Sequence, residues 1–69
     1  MKYAVVIERT GTRFRAHVPD LPGCMATGNT VEEAEQALHL AIRYHVADLK
    51  RGGLAVPPPT SHVNYVGLV

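Results

Sequence analysis

The sequence predicts an α+β domain in which one helix packs on one face of a small, mostly antiparallel sheet, in the order β-β-β-α-β. Short runs of β-branched and aromatic residues occur near both ends of the chain. One long central segment has the apolar spacing of a helix. The 69 residues suffice for a single domain spanning positions 1–69, and 46% apolar with 19% charged residues is the composition of a folding chain.

The first two strands form a predicted hairpin. Residues 2–9 are apolar on both faces, which predicts a central strand covered on both sides. Gly11 allows a tight turn because glycine adopts positive φ without strain. Residues 13–18 alternate between apolar and polar positions, so they predict a second strand with one buried face. The apolar face consists of Phe14, Ala16 and Val18.

A proline-rich loop follows at residues 19–23, because two prolines remove two backbone donors and cannot lie inside a sheet. Leu21 is its predicted apolar plug, and Asp20 is expected to make local backbone bonds in the turn. Residues 24–27 predict a short third strand. Cys24 is the only cysteine, which excludes an internal disulfide and a cysteine zinc site. It predicts a small buried residue in a reducing, cytoplasmic protein.

The helix is predicted from residue 31 to about residue 51. Thr30 and Glu33 have the spacing of a capping box, in which Glu33 reaches back to the Thr30 N–H. Lys50 and Arg51 complement the dipole at the other end, and two glycines at 52–53 end the helix. One stripe of the helix is predicted to face the core: Val31, Ala34, Leu38, Ala41, Ile42, His45 and Leu49.

The remaining residues predict a stiff connector and a last strand. Three consecutive prolines at 57–59 favour an extended chain. Residues 62–69 carry alternating apolar side chains and predict the fourth strand. No membrane association is expected, since the longest apolar run, residues 4–7, is far too short to span a bilayer and no signal-peptide pattern is present.

The sequence predicts no metal site, no cofactor and no catalytic residue. The four histidines, at 17, 39, 45 and 62, include no helical pair four residues apart. His45 on the apolar stripe is interpreted as a core histidine with a bonded ring nitrogen, the alternative being a catalytic or pH-sensing imidazole. Glu8, Asp20 and Asp48 could form a nuclease-like carboxylate cluster, but their spacing does not bring them together.

Two surfaces have candidate binding roles. A net charge of +1 excludes a strongly basic nucleic-acid module, although Arg13 and Arg15 on one face of the second strand could contact nucleic acid or lie solvated. A single helix covers only one side of a sheet, so clustered apolar residues elsewhere indicate an interface between copies, in a dimer or tetramer. The candidates for this homo-oligomer interface are Val6, Leu40, Val66 and Leu68.

Three segments resemble the HicB antitoxin family: residues 2–8 (KYAVVIE), 14–24 (FRAHVPDLPGC) and 28–34 (GNTVEEA). The resemblance covers nearly the whole chain. It implies a partly RNase H-like fold without catalytic residues, and a HicA toxin partner that cleaves mRNA and whose active surface the antitoxin covers. RNA-binding toxins are basic, so the acids at the helix start are candidate toxin contacts by charge complementarity: Glu32, Glu33 and Glu35.

Longer members of this family carry a C-terminal DNA-binding segment. This sequence reaches Val69 directly after the last predicted strand, so operator binding is not expected. Two alternatives remain open at this point. One is an orphan oligomer that acts as a weak metal-dependent nuclease through Asp20, Glu8 or His45. The other is an oligomer that binds RNA through Arg13 and Arg15.

Overall fold

Three antiparallel strands and one helix of 21 residues form the regular structure of the chain, as seen in a computed structural model that describes residues 2–68. Strand β2 lies in the centre of the sheet, with β1 on one side and β3 on the other. The predicted α+β class is therefore confirmed. The elements are β1 (Val6–Thr10), β2 (Arg13–His17), β3 (Met25–Gly28) and α1 (Val31–Arg51).

Strand β1 is an edge strand, so its predicted central position is wrong. It pairs with β2 in the register that sets Val6 opposite His17, and no described strand lies on its other side. The apolar residues on its two faces have different surroundings. Ile7 packs against the core under the helix, whereas Val6 faces outward and is 36% exposed. Strand β1 is therefore apolar on both faces although only one face is covered by the core. The other face is exposed to solvent in the single chain.

The predicted fourth strand is absent from the described residues. Residues 62–68, here called the arm, form no strand and are exposed throughout. Val69, the last residue of the predicted strand, lies outside the described residues. The local pattern correctly indicates a segment with high β propensity. A strand, however, also requires a partner for its backbone hydrogen bonds, and the arm has none within the described part of the chain.

The core lies between the sheet and α1. It combines the inward face of β2, the proline-rich loop and the first half of the helix, and Leu21 is completely buried as predicted. Val31, placed on the predicted core stripe, is 40% exposed, so the buried part of the stripe begins at Ala34. The buried apolar residues are Ala16, Val18, Leu21, Cys24, Ala34 and Leu38.

The proline-rich loop is fixed by its own backbone. Val18 and Cys24 close it, since the Val18 N–H donates to the Cys24 carbonyl at 3.2 Å. Leu21 bridges the two ends: its N–H donates to the Val18 carbonyl at 3.1 Å, and its carbonyl accepts from the Cys24 N–H at 3.0 Å. These bonds hold the buried Leu21 and Cys24 side chains under the helix. Burial also raises the pKa of the Cys24 thiol, which suits a packing residue and not a nucleophile.

The start of α1 lies unusually close to the end of β3. A Cβ atom on Gly28 would lie 2.4 Å from the Ala34 nitrogen, so only glycine fits there without displacement. The Thr30 hydroxyl accepts a bond from the Glu33 N–H at 3.0 Å, as the capping box predicts. The Glu33 carboxylate accepts a hydrogen bond from the Asn29 N–H at 3.1 Å. The predicted donor was the Thr30 N–H, so the actual donor lies one residue earlier in the chain.

Candidate functional site

The arm is anchored at its base by Asp20, at the end of the sheet where β2 has finished. One Asp20 carboxylate oxygen accepts from the Thr60 and Ser61 backbone N–H groups at 3.0 and 2.9 Å. The other accepts from the Thr60 and Ser61 hydroxyls at 3.2 and 2.7 Å. These bonds, led by the Ser61 backbone N–H, hold the pKa of Asp20 below its ordinary value. Asp20 thus joins segments 40 residues apart, and the prediction of purely local bonding is wrong.

A second anchor lies a few residues earlier in the connector. The Tyr3 hydroxyl donates to the Pro57 carbonyl at 2.5 Å. Tyr3 belongs to the segment that leads into β1, while Asp20 belongs to the loop after β2. The connector therefore crosses the end of the sheet from the β1 side towards the β2–β3 loop. Its prolines at 57–59 keep this crossing stiff, which fixes where the arm leaves the domain.

Beyond Ser61 the arm does not pack on its own domain. Tyr65 and Val66 are 90% and 92% exposed, and Leu68 is fully exposed. The chain has a radius of gyration of 13.3 Å, compared with roughly 11 Å for a compact chain of this length. Large apolar side chains are seldom clustered on a segment without cover, so the arm is a candidate binding element.

A groove of about 410 Å³ runs between α1 and the segment leading into β1. Its floor is apolar and is formed by Tyr3, Val5, Leu38 and Ile42. Charged and titratable side chains line its rim: Lys2, Glu35, His39 and Arg43. Sequence reasoning missed this groove. The signal that could have found it is the second helical row of Glu35, His39 and Arg43, which repeats every four residues beside the core stripe.

The three candidate toxin-contact acids are all exposed at the start of α1, but they are not equivalent. Glu33 is committed to the helix cap through its bond from Asn29. Glu35 lies on the rim of the groove, and Glu32 lies in the first helical turn. Glu32 and Glu35 are therefore the acids whose charge can serve a partner without dismantling the cap.

The outward face of the sheet carries Arg13 and Arg15 together, as the alternation predicts. It also carries an acid. The Glu8 carboxylate lies 3.9 Å from both the Arg15 guanidinium and the His17 ring. Arg13 donates to the Thr27 hydroxyl at 3.5 Å. The face is therefore mixed in charge, which reduces the attraction for a phosphate backbone.

The apolar residues predicted for an interface between copies lie on three separate surfaces of one chain. Val6 is on the outward face of the sheet, Leu40 is on the outer side of α1, and Val66 and Leu68 are on the arm. The structure therefore brings only the last two together. Other exposed apolar residues were not predicted for this interface, among them Met25 on the sheet and Tyr44, which lines the same shallow depression as Leu40 on the helix.

The residues of the nuclease alternative are dispersed. Glu8 faces outward from the sheet, Asp20 holds the base of the arm, and Asp48 pairs with Arg51 at 3.0 Å near the end of α1. His45 is half-buried on the helix. Within residues 2–68, no three His, Cys, Asp or Glu side chains form a group that could hold a metal ion.

The same described residues include no helix long and apolar enough to cross a membrane.

Comparison with known proteins assigns the family. The model of the HicB-like antitoxins of bacterial toxin–antitoxin systems matches residues 3–67. A protein of Haemophilus phage HP1, described as an uncharacterized 14.9 kDa protein in the rep-hol intergenic region, is 29% identical over 66 residues. That match covers 96% of this chain and 50% of the phage protein, so the chain spans about half the length of this curated relative.

A solved structure agrees with the family model. A chain of the "HicA3 and HicB3 toxin-antitoxin complex" superposes with a TM-score of 0.73 and 30% sequence identity. The match covers 86% of this chain and 70% of that one. The family model and the solved structure therefore point to the same family. The chain belongs to the HicB-like antitoxin family of bacterial toxin–antitoxin systems.

Proposed function

We propose that the chain is a protein-binding module that neutralises a HicA-type, mRNA-cleaving toxin by covering its active surface, with no catalysis of its own. The observation that carries this proposal is the match to a chain of a toxin–antitoxin complex at 30% identity. The dispersed carboxylates also favour binding over hydrolysis. Because the toxin's substrate is mRNA, we place this action in the cytoplasm, where the single unpaired Cys24 is stable.

The proposed contact surface is the start of α1. A toxin that binds RNA needs a basic surface, and exposed acids attract such a surface. Glu32 and Glu35 lie within one turn of each other on α1, and the cap is formed by other residues, Thr30 and Glu33. Charges of this kind act mainly on the association rate, and their effect weakens as salt screens them.

The experiment compares three charge-reversal variants of the same helix. Glu35→Lys and the double variant Glu32→Lys/Glu35→Lys change the proposed contact. Asp48→Lys is the matched control for Glu35→Lys, since it alters the net charge equally at the far end of the helix. Binding to a purified HicA-type toxin is measured by surface plasmon resonance at low and high salt, after circular dichroism confirms that each variant is folded.

We expect the double variant to associate about tenfold more slowly at low salt, and Asp48→Lys to bind as the parent does. If all variants bind equally, the acidic surface is not the contact, although the chain still binds the toxin. If the parent protein neither binds the toxin nor stops its RNA cleavage, the proposed function is wrong.

The nucleic-acid alternative has less support. Arg13 and Arg15 share a face with Glu8, and the Arg15 guanidinium lies 3.9 Å from its carboxylate. RNA affinity that falls steeply with rising salt, and that is lost in Arg13→Ala/Arg15→Ala, would restore this alternative.

A further inference from the structure

We propose that Leu40 and Tyr44, on the outer side of α1, are the apolar anchor of the toxin contact and form one continuous surface with Glu32. The inference rests on the proposed function, because its occupant is the same HicA-type toxin. It supplies a contribution that the acids do not make. Exposed charges act mainly on the rate of association, whereas apolar side chains buried at the centre of an interface determine how slowly the partners separate.

Leu40 and Tyr44 face away from the core of their own domain. Leu40 follows the buried Leu38 by two residues, and a rotation of about 100° per residue places it on the opposite side of the helix. Both side chains are more than half exposed, and neither belongs to the core between α1 and the sheet. Their spacing of four residues makes them neighbours on the helix surface. They therefore form one exposed apolar patch.

The patch is concave and has the composition of an anchor. Leu40 and Tyr44 line one shallow depression of about 380 Å³, together with Arg43 and Ala47. Such a depression can receive a side chain of a partner. Tyrosine and arginine are also enriched among the few residues that carry most of the binding energy of an interface.

The same row of the helix joins this patch to the acidic start of α1. Four exposed residues repeat at intervals of four: Glu32, Gln36, Leu40 and Tyr44. At about 1.5 Å per residue, Glu32 lies about 12 Å from Leu40 and about 18 Å from Tyr44 along the axis. A stable interface covers about 800 Å² of each partner, which as a compact patch is about 30 Å across. A contact of this size that includes Glu32 is wide enough to include both apolar side chains.

The charges along the row describe the surface that the toxin must present. Glu32 at one end attracts the basic surface of a protein that binds RNA. Arg43 lies beside the apolar patch and requires an acidic group or a carbonyl oxygen opposite it. The expected complementary surface is therefore basic, then apolar, then acidic or polar, and this order fixes the direction in which the toxin lies along α1.

The first test measures dissociation rates. Leu40→Gln/Tyr44→Gln replaces the patch with a polar residue that favours helices, so the variant keeps α1. Met25→Thr is the matched control, because Met25 is a comparably exposed apolar residue on the sheet. Binding of each variant to a purified HicA-type toxin is measured by surface plasmon resonance, after circular dichroism confirms that the variant is folded.

We expect Leu40→Gln/Tyr44→Gln to dissociate about 30-fold faster than the parent, with an association rate changed by less than about twofold. Met25→Thr should dissociate as the parent does. Equal acceleration by Met25→Thr would contradict the proposal, because the loss would then not be specific to α1.

The second test reports proximity. The photoreactive amino acid p-benzoylphenylalanine is placed at position 44 in one sample and at position 25 in another, each mixed with the toxin. Irradiation should link the chain to the toxin from position 44 and not from position 25. Links formed from position 44 only between copies of the chain would assign the patch to self-association, which overturns the proposal.

Failure of this inference is distinguishable from failure of the proposed function. If the parent binds the toxin and Leu40→Gln/Tyr44→Gln dissociates at the parent rate, the patch is not the anchor, while toxin binding stands. If the parent itself does not bind the toxin, both the proposed function and the anchor are wrong.

Discussion

Replacing Gly28 with alanine tests the contact that joins the helix to the sheet. The new Cβ would lie 2.4 Å from the Ala34 nitrogen and 2.8 Å from both the carbonyl carbon and the Cβ of Glu33. Ordinary contact begins at 3.4 Å, so the start of α1 must retreat by about 1 Å. Two of these three atoms belong to the helix backbone, which cannot rotate out of the way as a side chain can.

The size of the effect follows from two opposing terms. Overpacking of a tight contact costs about 1–3 kcal/mol, and backbone atoms place this site at the upper end. Alanine recovers about 0.4–1 kcal/mol by restricting the unfolded chain. The net loss is about 2 kcal/mol, which for a domain of this size lowers the melting temperature by about 8–16 °C.

Thermal unfolding followed by circular dichroism measures this loss, with Gly52→Ala as the matched control. A Cβ on Gly52 meets only ordinary contacts, the nearest being the Asp48 carbonyl oxygen at 3.5 Å, and its φ of −80° suits alanine. Gly52→Ala should therefore melt at or slightly above the parent temperature. The reasoning is refuted if Gly28→Ala melts as the parent does, since the helix would then approach β3 less closely than described.

Three further changes have expected outcomes. Leu21→Ala removes a fully buried side chain and should cost about 2–5 kcal/mol in urea unfolding, whereas a loss below about 1 kcal/mol would contradict its role as the plug of the loop. Asp48→Asn removes an exposed ion pair with Arg51 and should change stability by less than about 0.5 kcal/mol by the same measurement. The pKa of Asp20 is lowered on folding, so its anchoring of the arm is present above the unfolded pKa near 3.8 and is lost as the pH falls through the lower folded value. The protection of the Thr60 amide, measured against the exchange rate of an unstructured peptide at the same pH, should therefore fall in acid, and Asp20→Asn should have lost it already at pH 7; equal protection in the variant would refute this.

Most of the regular structure follows from local sequence patterns. The helix has the predicted bounds because its cap and its final glycines are encoded within a few residues of each end. The alternation of residues 13–18 correctly predicts the buried face of β2, and Leu21 and Cys24 are buried as expected. These features are determined by residues that are close together in the chain. Hydrophobic periodicity reports such local relations, so it predicts these features correctly.

The incorrect predictions concern distant pairing. The composition of residues 2–9 and 62–69 indicates strands, but it does not indicate which edges meet. The central position predicted for β1 was based on its two apolar faces, and the fourth strand was based on the apolar pattern of residues 62–69. Asp20 similarly resembles a local turn residue, and its bonds to Thr60 and Ser61 depend on a connector that returns after 40 residues.

The candidate site was only partly predictable for the same reason. Exposed acids can be recognised from their place at the helix start, but the bond from Asn29 that commits Glu33 to the cap is a matter of geometry. The exposed apolar residues of the arm were expected to lie in a sheet. The groove forms only when residues 2–5 lie beside α1, which no local pattern indicates.

The most direct test of the central claim is a titration of RNA cleavage. The chain is added in steps to a fixed amount of the HicA-type toxin with a labelled mRNA substrate. Neutralisation by coverage predicts that cleavage falls in proportion to the added chain and stops at a fixed stoichiometric ratio. Cleavage that continues undiminished at a large excess of the chain, or RNA cutting by the chain alone, would contradict the account.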